Sequence, residues 1–358
     1  MRYSIFATSA LLLAGSSCGA VIKAITPDVD TRNISEIYAA ALQENGTLQI
    51  AYGGDEKKQS TAFVQAFQAA FPGININATT DLSKYLDGRI NRALLAGETY
   101  ADVAIIQTLQ DFDSWKARGV LLEYKPPGFH QLYTAITDPD GAYIPANIGG
   151  FGYFTYDTTR VSAADVPKTY LDVLDPKWKG KIVLTYPNDD DAINFLFATI
   201  VDKYGWQWLE QLLTQDVRWV RGTATPAEVI AQPGSQYELT FSGYRAAANQ
   251  SMAAPQDYFM SWAQTSAIFK STKLPETAKL VQAFLASEDW QTAKVAQGSF
   301  STRKDVSANS TVWAAEWTDA ARYHQFMVQR DVVEAWRFNF EDYLGTAQGL
   351  SPLVDDIS

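Results

Sequence analysis

Residues 165–197 read DVPKTYLDVLDPKWKGKIVLTYPNDDDAINFLF. Ile182, Val183, Leu184, Thr185 and Tyr186 give the middle of this stretch the composition of a strand buried on both faces of a sheet. A helix is expected directly after it. Asn188 or Asp189 can cap that helix by accepting backbone N–H bonds, Asp190 and Asp191 suit its positive end, and Ile193, Phe195, Leu196 and Phe197 open its apolar side. In open α/β sheets, ligands bind where strand carboxyl ends meet helix starts, so Tyr186, Asn188 and Asp189 are candidate contacts.

The same alternation recurs on both sides. Upstream, residues 48–52 predict a strand that ends in the turn Gly53, Gly54, Asp55, and Phe63, Phe67 and Phe71 recur at helical spacing behind it. Residues 74–78 read as a strand, 82–95 as a helix and 101–106 as a buried strand. Tyr52, Gly53, Gln107 and Thr108 therefore stand at strand ends, where ligand-facing groups are expected. Downstream, Arg221 falls between a strand and TPAE at 225–228, which reads as a capping box with proline at the first helical position. Tyr244 follows a strand over 237–241. Between the halves, NIGGFGYFTYD at 147–157 sets three glycines among aromatics, as a crossover that must absorb backbone rotation would. Asn147 opens it, and residues 258–270 supply the return.

VPKTY at 166–170 and LDPKWKGKI at 174–182, with ADVAIIQT at 101–108 and LPETAKLVQAFLAS at 274–287, resemble extracellular solute-binding proteins of the periplasmic-binding-protein type II class. The ferric-iron-binding branch is the most similar. The resemblance covers roughly residues 47–305 and is thin in the C-terminal fifty. It implies an α/β fold of two lobes, each a mostly parallel sheet flanked by helices. Lobe one is expected over 48–148 plus 262–358 and lobe two over 149–261, with the helices of 311–344 buttressing lobe one from outside. It further implies capture of a small polar ligand by lobe closure, without catalysis, and a membrane transporter as partner if the setting is bacterial. Iron-binding relatives carry adjacent tyrosines near position 244. Here Tyr244 stands alone, and Arg245 beside it opposes a bound cation, so no metal ligand is assigned.

Composition agrees with two cores. The chain has 358 residues, 47% of them hydrophobic, more than one compact core usually holds. A net charge of −11 and a sequence pI near 4.7 argue against nucleic acid or an anionic membrane surface as partner. Residues 1–20 read as a signal peptide and 21–47 as a leader, so a secreted monomer is expected, or a periplasmic one if bacterial. Cys18, the only cysteine, would leave with the signal, which removes disulfides and thiolate chemistry from the mature chain. Sequons at Asn33, Asn45, Asn77, Asn249 and Asn309 favour a eukaryotic, fungal secretory route.

No nucleophile elbow, zinc-binding HExxH, P-loop or dinucleotide fingerprint occurs, and no cofactor is expected. The alternatives are an enzyme on the same fold acting on a small heterocyclic or phosphorylated substrate, a ferric-iron binder, or a surface-interaction protein. Ligand charge stays open at this level. Tyr186, Asp189 and the aromatic crossover suit a cation, whereas Arg221 and the helix starts suit an anion.

Overall fold

A computed structural model describes residues 27–306 and 317–353. The expected signal peptide and the sequon at Asn309 lie outside these residues. In chain order the first half runs α1 (Ile34–Ala41), β1 (Thr47–Gly53), α2 (Thr61–Ala70), β2 (Asn75–Asp81), α3 (Ser83–Ala96), β3 (Val103–Ile106), α4 (Gln110–Ala117) and β4 (Ile144–Phe151). The middle comprises β5 (Phe154–Asp157), β6 (Val183–Thr185), α5 (Asp191–Tyr204), α6 (Trp206–Leu213), β7 (Arg218–Val220), α7 (Thr225–Ala231), β8 (Leu239–Thr240) and β9 (Gln250–Ala253). The chain then returns through β10 (Met260–Ile268), α8 (Pro275–Leu285), α9 (Glu288–Ala296), α10 (Ala320–Val328) and α11 (Arg330–Leu344).

The first sheet has the order β2-β1-β3-β10-β4. Pairings β1–β2 and β1–β3 are parallel, and β10 runs antiparallel to both β3 and β4. Four strands thus share one direction and the returning strand opposes them. The second set repeats this plan. Strands β6 and β7 pair in parallel, β5 runs antiparallel to β8 and β9, and a parallel bridge from Ile182 to Leu239 joins the two groups. The order becomes β7-β6-β8-β5-β9, again with the crossing strand reversed. Each crossover enters the opposite sheet against its neighbours because the chain must travel back across the interface it has just left. Gly152 makes the first crossing possible, with φ of 110° and an added Cβ only 2.3 Å from the Tyr170 hydroxyl.

The apolar patterns become cores as their spacing implies. Strand β10 is buried at all nine positions and β3 at all four. Helix α2 buries Phe63 and Phe67, which pack with Phe71 and Phe284 on one side of the first sheet. The second core is not confined to one lobe. It is continuous from Leu86, Phe112 and Trp115 through Phe151 and Trp262 to Tyr170, Phe197 and Phe241, and on to Tyr323 and Phe340.

This continuity corrects the expectation for the C-terminal helices. Helix α10 lies on β10, but α11 packs on α5 of the second half instead of buttressing the first from outside. The fully buried Phe340 sits 6.0 Å from Phe197 and 5.5 Å from Trp206, and Trp206 stacks on Tyr343 at 5.0 Å. Aromatic area decides the matter: Phe197 of α5 and Trp206 of α6 present rings that α11 covers, and leaving them wet would forgo several kcal/mol, about 1.5–3 per large apolar side chain.

Candidate ligand cleft

A cavity of about 540 Å³ lies between the two strand sets. The first half lines it with Gly53, Gly54 and Asp55 after β1, Ser83, Lys84 and Asp87 on α3, Gln107, Thr108 and Gln110 after β3, and Phe151, Trp262 and Gln264 on β4 and β10. The second half contributes Asp189, Asp190, Asp191, Gly222, Thr223, Glu228, Tyr244 and Arg245, and the C-terminal region adds Tyr323, Met327, Arg330, Arg337 and Pro352.

The floor is held rigidly. Gln264 Nε2 donates to the Gly53 carbonyl at 2.8 Å and the Ile105 carbonyl at 3.0 Å, tying the middle of β10 to the ends of β1 and β3. One wall is aromatic. Phe151 stacks on Trp262 with centroids 4.9 Å apart, and Tyr244 leans on Phe151 at 5.2 Å. Position 149 has to be glycine for that wall to form, since a Cβ there would fall 2.5 Å from the Trp262 ring. The Tyr244 hydroxyl accepts the Gly150 N–H at 2.9 Å, a bond that crosses from one lobe to the other. Burial raises the pKa of this phenol, so it stays protonated.

The opposite wall is the turn before α5, where charge is crowded. Asp190, one residue later than expected, is the helix cap and accepts from Ala192 N–H at 2.9 Å and Ile193 N–H at 3.0 Å. Burial pushes its carboxyl up to about 7; donation from Ile193 N–H acts against that, and repulsion from Asp191, Asp55 and Asp189 adds to it. Burial also works against ionisation of Asp189, but the Arg221 fork and Lys84 outweigh it and hold that carboxyl below its ordinary value. The fork is bidentate, at 2.8 and 3.0 Å. Asp191 pairs with Arg330 at 3.2 Å. Burial, then the Asp111 carboxylate, raises Asp87, and burial followed by the Asp55 charge raises Glu228.

Five of the sequence candidates face the cavity together: Gly53, Gln107, Thr108, Asp189 and Tyr244. Five are placed elsewhere. Tyr52, on the alternate face of β1 from Gly53, stacks on Phe63 at 6.0 Å. Asn147 pairs with Gln264 in the sheet register without entering the lining. Tyr186 continues the β6 pairing by bonding to Val220 O, and its ring lies buried 5.9 Å from Trp219. Asn188 donates to Gly345 O at 3.0 Å, under the C-terminal segment. Arg221 is engaged by Asp189. The capping box expected at 225–228 is absent too: Ala224 occupies the cap position, Thr225 lies inside α7, and Glu228 turns to the cleft.

Sequence reasoning passed over Asp55, Lys84, Asp87, Phe151, Trp262, Glu228, Arg330 and Arg337. Asp55 and Phe151 had a local signal, a turn directly after a strand and an aromatic in the glycine-rich crossover. Arg330 and Arg337 had none, because their site partners are more than a hundred residues away in sequence.

A family model described as bacterial extracellular solute-binding protein matches residues 98–321. Among solved structures, the fold is similar to iron-bound HitA from Pseudomonas aeruginosa, with 17% identity, TM-score 0.62, and 84% of this chain and 100% of that chain covered. It is also similar to AfuA from Actinobacillus pleuropneumoniae with fructose-6-phosphate bound, at 18% identity and TM-score 0.65, covering 85% and 100%. A substrate-binding protein of an ABC transporter from Agrobacterium tumefaciens matches at 15% identity and TM-score 0.67, covering 84% and 96%. These likenesses bear on the fold, whereas the family model spans more than half the chain. The chain belongs to the bacterial extracellular solute-binding protein family.

Proposed function

We propose that this solute-binding protein closes its lobes over a small organic cation, such as an amine or polyamine, and performs no covalent step on it. The observation that carries the reading is the charge of the cleft. Seven carboxylates line it against four cationic groups. Of those four, Lys84, Arg330 and Arg337 already meet carboxylates of the protein. Burial first, and then the repulsion that remains, raises the carboxyls of Asp87, Asp190 and Glu228. A cation in the cavity relieves it, and the wall of Phe151, Trp262 and Tyr244 offers ring faces to an alkylammonium group.

Anionic solutes and ferric iron fit less well. Arg221, which the sequence offered for an anion, is paired with Asp189 outside the cavity lining. A hard trivalent ion wants several anionic oxygens, yet burial holds both tyrosines of the cavity lining, Tyr244 and Tyr323, as protonated phenols, and the Tyr244 oxygen accepts a backbone N–H. Secretion as a monomer, glycosylation at the exposed Asn33, Asn45 and Asn77, and delivery to a membrane transporter in a bacterial setting complete the proposal. Among the described residues no helix is long and apolar enough to cross a membrane. Calorimetric titration with putrescine, spermidine, choline, inorganic phosphate, fructose-6-phosphate and ferric citrate tests the ligand class. Binding of at least one organic cation, lost in Trp262→Ala, is the expected result. Binding confined to the phosphates or to iron would overturn it.

A further inference from the structure

Asp55 stands in the turn after β1 and reaches across the cleft to the loop between β7 and α7. Its Oδ2 accepts both the backbone N–H and the hydroxyl of Thr223, each at 2.7 Å. Both ends of this contact are built. On the first lobe, Gln59 Oε1 accepts the amides of Asp55 at 3.0 Å and Glu56 at 3.3 Å, which fixes the turn. On the second, the Gly222 carbonyl accepts the Thr185 hydroxyl at 2.7 Å, which fixes the loop. An N–H and an O–H converging on one carboxylate oxygen are the donors an oxyanion needs, and charge-assisted bonds of this length are the strong kind.

The geometry points to Asp55 as a specificity-determining residue: its carboxylate fills an oxyanion-accepting donor pair of the second lobe and so excludes phosphate and carboxylate solutes from the cleft. An entering anion has to displace Asp55 and then lie among Asp189, Asp190 and Glu228. The same contact also joins the lobes. The inference rests on this cavity being the binding site, and not on the ligand being a cation.

The test uses the full chain and inorganic phosphate as probe, read by calorimetry in wild type, D55A, D55N and the double variant D55A/T223V. Wild type is expected to bind phosphate weakly or not at all. D55A, with the donor pair vacated and one repelling charge gone, is expected to bind it at least about tenfold more tightly, and D55A/T223V, which lacks the hydroxyl, to lose most of that gain. D55N keeps an acceptor on Thr223 but not the charge, so its gain should fall between those of wild type and D55A. If D55A does not fold, D55N carries the test, and an affinity equal to wild type overturns the inference. So does a D55A protein that opens by small-angle scattering without gaining phosphate, which would make Asp55 a lobe latch alone. A parallel spermidine titration of wild type reports on the cation reading, so either can fail without the other.

Discussion

Asp190 shows how one residue can serve the fold and be penalised by it. It holds the first turn of α5 by accepting two N–H groups, yet it sits half-buried beside other carboxylates, and its carboxyl is raised from an ordinary 3.8 to about 7. The unfolded chain therefore releases this proton first as pH rises. The stabilisation from Asp190 is whole below about pH 4 and declines until about pH 7. Asn caps a helix about as well as Asp and carries no charge. Asp190→Asn is thus expected to match wild type in melting temperature at pH 4 and to exceed it by several degrees at pH 8. A series of thermal melts checks this, and a difference that stays constant with pH would contradict it. The neighbouring Asp189 behaves in the opposite sense. Its depressed carboxyl contributes stability that is lost on acidification, so Asp189→Asn read beside Asp190→Asn separates ion pairing from capping.

Between elements, the contact that most alters the expected picture is α11 on α5. Phe340 is completely buried among Phe197, Trp206 and Trp336. Phe340→Ala should lower unfolding free energy by about 3–5 kcal/mol. Urea denaturation measures it, and a loss under about 1 kcal/mol would mean that α11 does not hold this position in solution. The sequence made α5 and its strand legible because their signals are local: an apolar run, acidic residues, then an apolar helix face. It put the cap at 188 or 189 because Asn188, Asp189 and Asp190 are equally good acceptors, and only tertiary burial chooses among them. Tyr52 and Tyr186 were assigned to the cleft because strand ends approach ligand, but side chains alternate across a strand and these two fell on the core side. The role of α11 had no local signature at all, since its partners, among them Asn194, whose amide donates to Val333 O, lie over a hundred residues upstream.

Taken whole, the molecule is two strand sets of the same order, linked by reversed crossing strands and bound by one continuous core. Asp55 to Thr223, Lys84 to Asp189 and Tyr244 to Gly150 close the cleft from side to side. Residues after α11 run over the turn before α5, with Gly345 O accepting from Asn188 and Gly349 O from Arg221 at 3.3 Å. What this closed body encloses is an excess of acidic side chains, of which Asp87, Asp190 and Glu228 are raised by burial and then by neighbouring carboxylates. A cation entering it favours their ionised forms, so binding must release protons, and affinity must rise with pH up to about 7 and then level off. The most direct measurement is calorimetric titration of spermidine at pH 5, 6 and 7, where its amines stay charged, in buffers of differing ionisation enthalpy. Proton release and an affinity that increases toward pH 7 are expected; proton uptake, or an affinity that falls over that interval, would contradict capture of a cation by these carboxyls.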